Sequence, residues 1–504
     1  MSQIKFKTIY LAAYLLLLTA HLILIWSMSY IPTKDGPSHI YNLAILKDLL
    51  HGGEIWGEYY SYNLQLVPNL GFHIFTYPLL NFLDPWQAEK LFLSLYICLM
   101  CLSIPVFLKA FDRAVFPVCF FVFPVIFNLT LLSGFYSYCI AVPFFILFFS
   151  LSWAVRHKNF LWKILTYTLC GSFLFCLHLI PFIFYLISLF SMTISQAIKA
   201  HSRKNIIIKS IASISPLLLI LFYHLTYSVS STFSDFYYLF SSERLVLLII
   251  DFLTFTTLTF NIIHSIPLFF FIAGFFTLFY LSIRTVDLNA KYRDIFCTPY
   301  FLTAFILSVI YFLVPFDFAG GSFFNERFPW VIFLLLLPLI KFPERDHFLH
   351  HKSALMISIV MLIFAFNVTF LWKHSQLVDD YTKGLSVPIP RNSLIMNYKQ
   401  FGSDTSRVDF LLHSISHYAL THKAVDIGNY EARLDYFPVQ FKTNMPPVPS
   451  IALIELSPWE IDWDGYPDIE YLIAWEMGLE ERNNISRSFD MVFKKDDLSI
   501  WRRN

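Results

Sequence analysis

The chain has 504 residues, of which 57% are hydrophobic and only 14% charged. A water-soluble globule carries about a quarter of its residues as charges, so this one lacks the polar surface it would need in water. Its formal net charge of +1 gives no electrostatic pull toward nucleic acid or acidic partners.

Mean hydropathy is +0.59, and apolar runs recur from Ile9 to Leu371 at the length that crosses a bilayer core. Lys5 and Lys7 precede an apolar stretch at 8–29 that is long enough to span. It ends in Ser-Tyr-Ile-Pro without a small-x-small cleavage site, so it reads as a retained first transmembrane helix. Further spans are expected at 88–109, 114–131, 135–155, 160–178, 181–199, 208–228, 265–284, 296–314, 328–341 and 353–372, about eleven in all. The stretch at 243–262 is apolar enough to suggest another. Counting it would reverse the side of Arg284, Lys291 and Arg293, so it is read as an interfacial or re-entrant helix.

With this alternation, basic clusters around Lys5, Lys109, Arg156, Lys199, Arg284 and Lys341 all fall on one side. Basic residues favour the cytoplasmic face, so the N-terminus is expected inside and the C-terminal domain outside. Cys98, Cys101, Cys119, Cys139, Cys170, Cys176 and Cys297 all lie in apolar runs, and their number is odd. They read as small buried apolar residues, not as a disulfide framework or a metal site.

The first external loop, 30–87, carries two expected surface helices. Asp35-Gly-Pro-Ser-His opens one, with Ile40, Leu43, Leu46 and Leu50 on one face and Gly52-Gly53 at its end. The second lies at about 69–83 and contains His73. After residue 373 the composition becomes more acidic. Residues 374–504 are expected to form a small α/β domain, with an extended linker at 380–392, a helix within 405–423, a strand at Ile469–Trp475 and a terminal hairpin over 489–501. The fold class is thus an all-α polytopic membrane bundle, residues 1–373, with a small soluble α/β domain.

Ionisable residues at the mouth of a membrane bundle are functional candidates. Asp35 fits a general base with His39 one turn away, and equally fits a helix N-cap. Arg327 in Asn325-Glu326-Arg327, with Asp317 upstream, can hold a phosphate, or can snorkel and pair with Glu326. His178 sits near the external end of the fifth expected span, and Asn128 to Tyr138 make a tight turn at Gly134.

These features resemble the GT-C superfamily of membrane glycosyltransferases, which use polyprenyl-phosphate-linked sugars. The resemblance rests on the layout of the whole chain, on Asp35 just after the first span, and on Asn128…Gly134-Phe-Tyr-Ser-Tyr, where Ser137 stands in place of an Asn. Ile469-Glu-Tyr-Leu-Ile-Ala-Trp is similar to an ending of bacterial members, with Glu470 in place of Asp. The resemblance implies an inverting sugar transfer on the external face of a cytoplasmic membrane. Asp35 would be the base, and Arg327, Lys34, His39 and His178 would serve the donor phosphate. Glu326, Asn325, Asp317 and His73 would support the acceptor or the scaffold. The acceptor would be a lipid, glycan or protein. No cofactor is expected, and one strong carboxylate in the loop's first stretch does not call for a divalent metal. Two rivals are a transporter or flippase, disfavoured by the scarcity of charges within the spans, and a non-catalytic scaffold that binds a partner.

Overall fold

The computed structural model describes residues 3–64, 67–199, 212–218, 241–260, 265–284, 295–317, 323–340, 349–399, 406–434 and 436–504. They form a mostly helical multi-pass membrane bundle capped by a layer of short helices and strands. Among these residues seven helices are long and apolar enough to cross a bilayer. They correspond to the expected spans at 8–29, 88–109, 135–155, 160–178, 181–199, 265–284 and 353–372.

Among the described residues the expected count of eleven is not reached. The stretch 114–131 breaks into three short pieces, Val118–Val122, Phe123–Ile126 and Leu129–Leu132. Pro124 and the N-cap at Asn128, whose Oδ1 accepts from Leu131 N–H, punctuate it. The stretch at 328–341 is an eight-residue helix, Pro329–Leu336, followed by one 3-10 turn, and is buried along its length. At 1.5 Å per residue such a helix reaches about 12 Å, far short of a bilayer core. The span at 296–314 is the fifteen-residue helix Pro299–Leu313. Most of the span expected at 208–228, and much of the basic clusters near 199–209, 284–293 and 341–352, lie outside the described residues. Residues Ser242–Thr254 form a thirteen-residue helix, too short to cross.

We number the helices that position the site α1 (Gln3–Ser27), α2 (Gly36–Leu50), α3 (Gly71–Thr76), α4 (Pro85–Ala110), α5 (Tyr136–Ala154), α6 (Phe160–Leu177) and α7 (Leu179–Lys199). The expected helix α2 forms, and much of it is buried against other parts of the chain. Ile40, Tyr41, Leu43 and Ile45 are fully buried, because the C-terminal residues cover the face turned away from the bundle. Tyr41 donates to the Ala424 carbonyl at 2.8 Å. Asn42 and Asn429 exchange amide hydrogen bonds in both directions, each at 2.9 Å. The first loop also shares a sheet with the C-terminal layer, since β1 (Tyr60–Tyr62) pairs antiparallel with β4 (Val439–Phe441).

The larger sheet has five strands in the order β3-β2-β5-β7-β6. Here β2 is Leu394–Lys399, β3 Val425–Asp426, β5 Ile469–Trp475, β6 Phe489–Lys495 and β7 Leu498–Arg503. The central β5 is an almost continuous apolar run, as a strand buried on both faces should be. The helix Leu349–Tyr381 carries the chain from the bundle into this layer, so extended backbone begins only after the 3-10 turn Thr382–Ser386.

Candidate active site

Where α2 leaves the bundle, a cavity of about 450 Å³ lies between the helix ends and the C-terminal layer. Its most deeply held carboxylate is Asp35. The residue occupies the N-cap position of α2, but its side chain makes no capping hydrogen bond, and Oδ1 is buried with no hydrogen-bond partner. Pro37 in the first turn removes one of the amides a cap would serve. The N-cap reading therefore explains the position of Asp35 and not its carboxylate.

Lys34 Nζ lies 3.6 Å from Oδ1, and His413 Nε2, from the C-terminal layer, lies 3.5 Å from it. Burial raises the Asp35 pKa above the usual carboxylate value. Lys34 and His39 act against the rise, and Glu431 adds to it. The same burial, helped by the charges of Lys34 and His39, holds His413 well below the ordinary histidine value and so neutral.

A turn from the bundle forms the wall behind Asp35. Lys34 N–H donates to the Leu132 carbonyl at 2.9 Å. Gly134 sits at φ +88, and a Cβ there would meet the Asp35 Cβ at 2.7 Å and its backbone N at 2.8 Å. Gly36 is equally closed in, because a Cβ would run into Thr33 Oγ1, the Tyr136 hydroxyl and Glu89 Oε1. Those three atoms are linked, with Thr33 to Tyr136 at 2.8 Å and Tyr136 to Glu89 at 2.5 Å. Ser137 ties α3 to this floor, accepting from Phe72 N–H at 3.0 Å and donating to the Asn69 carbonyl at 3.1 Å.

His39 faces two acceptors, Glu431 Oε1 at 2.8 Å and the Gly134 carbonyl at 2.9 Å. Only an imidazolium carries a proton on both ring nitrogens. Burial alone would lower its pKa, but Glu431, Asp35 and the Gly134 carbonyl outweigh burial and raise it to about 9.

Arg327 approaches from the far wall. Its guanidinium lies over Phe135 at 4.6 Å, Phe324 at 5.3 Å and Tyr138 at 5.5 Å, an aromatic cradle that suits a cation. Tyr138 donates to the Arg327 carbonyl at 2.5 Å. His178 Nε2 lies 3.3 Å from Nη1, and Ile180 N–H, donating to Nδ1, fixes the ring. Burial lowers the Arg327 pKa to about 10, which leaves it a cation at neutral pH.

The structure thus gathers Lys34, Asp35, His39, His178 and Arg327 around one cavity. The other four expected residues do not line it. Glu326 pairs with Arg407 of the C-terminal layer at 3.2 Å, instead of pairing with its neighbour Arg327. Asn325 donates to the Tyr311 and Val314 carbonyls and is structural, while Asp317 is exposed. His73 is buried, and burial depresses its pKa to about 4. Sequence reasoning did not single out His413, Tyr430, Glu431, Tyr436 or Glu455. They come from a segment hundreds of residues away in the chain, with no local pattern that points back to Asp35. Burial raises Glu455, on the short helix Ile451–Leu456, to about 7, with Lys34 opposing and Asp35 assisting. Among the described residues no three His, Cys, Asp or Glu side chains gather as metal ligands would.

No protein-family model matches the sequence, and no curated protein matches it. Among solved structures the chain is similar to a crystal structure of ArnT from Cupriavidus metallidurans bound to undecaprenyl phosphate. That alignment has 9% identity and a TM-score of 0.49, and covers 99% of this chain and 98% of the other.

Proposed function

We propose that this chain is an inverting membrane glycosyltransferase, moving a sugar from a polyprenyl-phosphate donor to an acceptor hydroxyl at the external membrane face. One observation carries the reading. A single cavity at the end of a membrane bundle holds a buried carboxylate with an unsatisfied oxygen, Asp35, together with the cations Lys34 and Arg327. The bias of basic residues toward the opposite side supports the external placement.

The acceptor oxygen attacks the anomeric carbon, and Asp35 takes its proton as the new C–O bond forms. The bond from that carbon to the phosphate oxygen breaks through an oxocarbenium-like state, and its electron pair leaves on the polyprenyl phosphate. Arg327 and Lys34 stabilise the developing charge, with His178 orienting the guanidinium. His39 adds a fixed positive charge to the wall, but both its ring nitrogens are already committed, so it is not a direct phosphate ligand.

The test is transfer by purified protein in proteoliposomes supplied with a panel of polyprenyl-phosphate sugars. Wild type should transfer from at least one donor, and Asp35→Asn should lose about 10²–10⁴-fold in rate while still binding it. Full activity in both Asp35→Asn and Arg327→Ala would remove the assignment.

A further inference from the structure

His39 and Glu431 are 392 positions apart, yet they form a 2.8 Å polar link between the start of α2 and the C-terminal layer beside this cavity. The ring occupies a central place. Its backbone N–H donates to the Asp35 carbonyl at 3.0 Å, one turn back along α2. Its Nε2 holds the Gly134 carbonyl, and Gly134 backs directly onto Asp35. Phe72, Tyr136 and Phe437 surround it, with ring centroids 5.8, 5.7 and 6.4 Å away. Glu431 is fully buried, and its Oε2 has no hydrogen-bond partner. Its position is fixed two residues earlier, by the reciprocal amide pair of Asn429 with Asn42. Among the described residues the hydrogen-bond partner of the Glu431 carboxylate is the ring of His39.

We propose that Glu431 is a positioning residue for sugar transfer: it anchors the His39 ring, and through that ring the Gly134 turn and the wall that fixes Asp35. The inference rests on the transfer reading above and deepens it. The C-terminal layer completes the base's setting as well as roofing the cavity. The charged form of His39 is the one that serves both acceptors. The titratable groups that share its field are Glu431 and Asp35, which favour that form, and His73, His413 and Glu89 around them. Glu431→Gln keeps the shape and can still hydrogen-bond Nδ1, but removes the charge that opposes burial.

In proteoliposomes, kcat of wild type should hold up to about pH 9, where His39 loses its proton. In Glu431→Gln the alkaline limb should move down toward or below the ordinary histidine value of 6.5. At about pH 8 kcat should then fall roughly ten- to a hundredfold, with the donor KM little changed, because a base shifted by about an ångström loses that much. The double variant His39→Gln/Glu431→Gln should be no slower than the slower single variant. A wild-type pH profile in Glu431→Gln, additive losses, or a loss seen only in donor KM would each overturn the proposal. NMR of the ¹⁵N-histidine-labelled full chain reads the clamp without activity, with the His39 signal assigned by its loss in His39→Gln. Both ring nitrogens should be protonated at about pH 8 in wild type and not in Glu431→Gln. A neutral His39 in wild type at that pH would refute the clamp. Absence of transfer from every donor, with the NMR result as expected, would instead refute the transfer reading alone.

Discussion

Gly134→Ala tests how tightly the wall behind Asp35 is built. A methyl there would lie 2.7 Å from the Asp35 Cβ, 2.8 Å from its N and 2.9 Å from its Cα. Two of those atoms are backbone, so no side chain can rotate away. Relaxed carbon–carbon contact needs about 3.5–4.0 Å, which requires the two segments to separate by roughly an ångström. The positive φ of +88 adds its own strain for a residue with a Cβ. Left-handed strain of about 1–2 kcal/mol and overpacking of about 1–3 kcal/mol give a destabilisation of about 2–5 kcal/mol.

The separation also moves Asp35 relative to the cavity, and a misplacement of about an ångström costs on the order of 10²-fold in rate. The assay is kcat in proteoliposomes, alongside the thermal unfolding midpoint in detergent. The control is Gly274→Ala in the helix Ser265–Arg284, where an added Cβ meets nothing within 4 Å. That change should leave activity intact and, as a helical Gly→Ala, stabilise slightly, by about 0.5–1 kcal/mol. Gly134→Ala with wild-type kcat would refute the close-packed wall. A loss of activity matched by an equal loss of folded protein would refute the positional argument and leave only the strain.

Three other outcomes follow from the geometry. Arg327→Lys keeps the charge but loses the planar fork and its stacking on Phe135, so kcat/KM for the donor should fall by about 10–10³-fold, read from initial rates. Asn42→Ala removes both amide hydrogen bonds to the buried Asn429, whose Oδ1 keeps the longer bond from Ala432 N–H at 3.4 Å, and should destabilise by about 1–3 kcal/mol; Asn42→Leu/Asn429→Leu should cost less than the sum of its single changes, measured by thermal unfolding. Glu455 has its folded pKa raised from 4.5 to about 7, so the folded chain binds the extra proton between those values. Its contribution to stability is fully present below about pH 4.5 and is lost as pH rises through about 7. Glu455→Gln should therefore raise the unfolding midpoint at pH above 7 and change it little near pH 4; an equal shift at both would contradict the raised value.

The sequence carried the bundle well because long apolar runs have few alternatives in lipid. It carried the terminal strands equally well, since Ile469–Trp475 and the hairpin behind it follow local pattern and turn chemistry. It did not separate out segments whose apolarity serves protein packing. Pro329–Leu336 is as apolar as any span but is buried inside the bundle, and hydropathy does not distinguish a lipid neighbour from a protein one. The protein cover over α2 was illegible for a related reason. Its apolar face was legible, but Tyr41 and Asn42 find their partners in residues 424 and 429, and no local rule links them. Half of the cavity lay within reach of sequence reasoning because Asp35, Gly134 and Arg327 sit at helix ends, where a membrane chain has few reasons to keep polar or conformationally special residues. The other half, from His413 to Glu455, sits in an ordinary soluble segment where such residues draw no attention.

That division bears on how the site can work. Lys34, Asp35 and His39 come from the first loop and alternate in sign, and the negative partner of His39 comes from the other end of the chain. Buried charge is tolerated only when paired and hydrogen-bonded. The C-terminal layer supplies the pairing through Glu431 and lines the cavity with Tyr430, Tyr436 and Phe437, so the same docking that makes the charges tenable also walls the space they face. Beside low-dielectric protein walls a fixed cation acts on a developing phosphate charge more strongly than it would in open solvent. The position of Asp35 at the seam between bundle and C-terminal layer is then a consequence of electrostatics: neither part alone can hold that carboxylate buried, oriented and open on one oxygen.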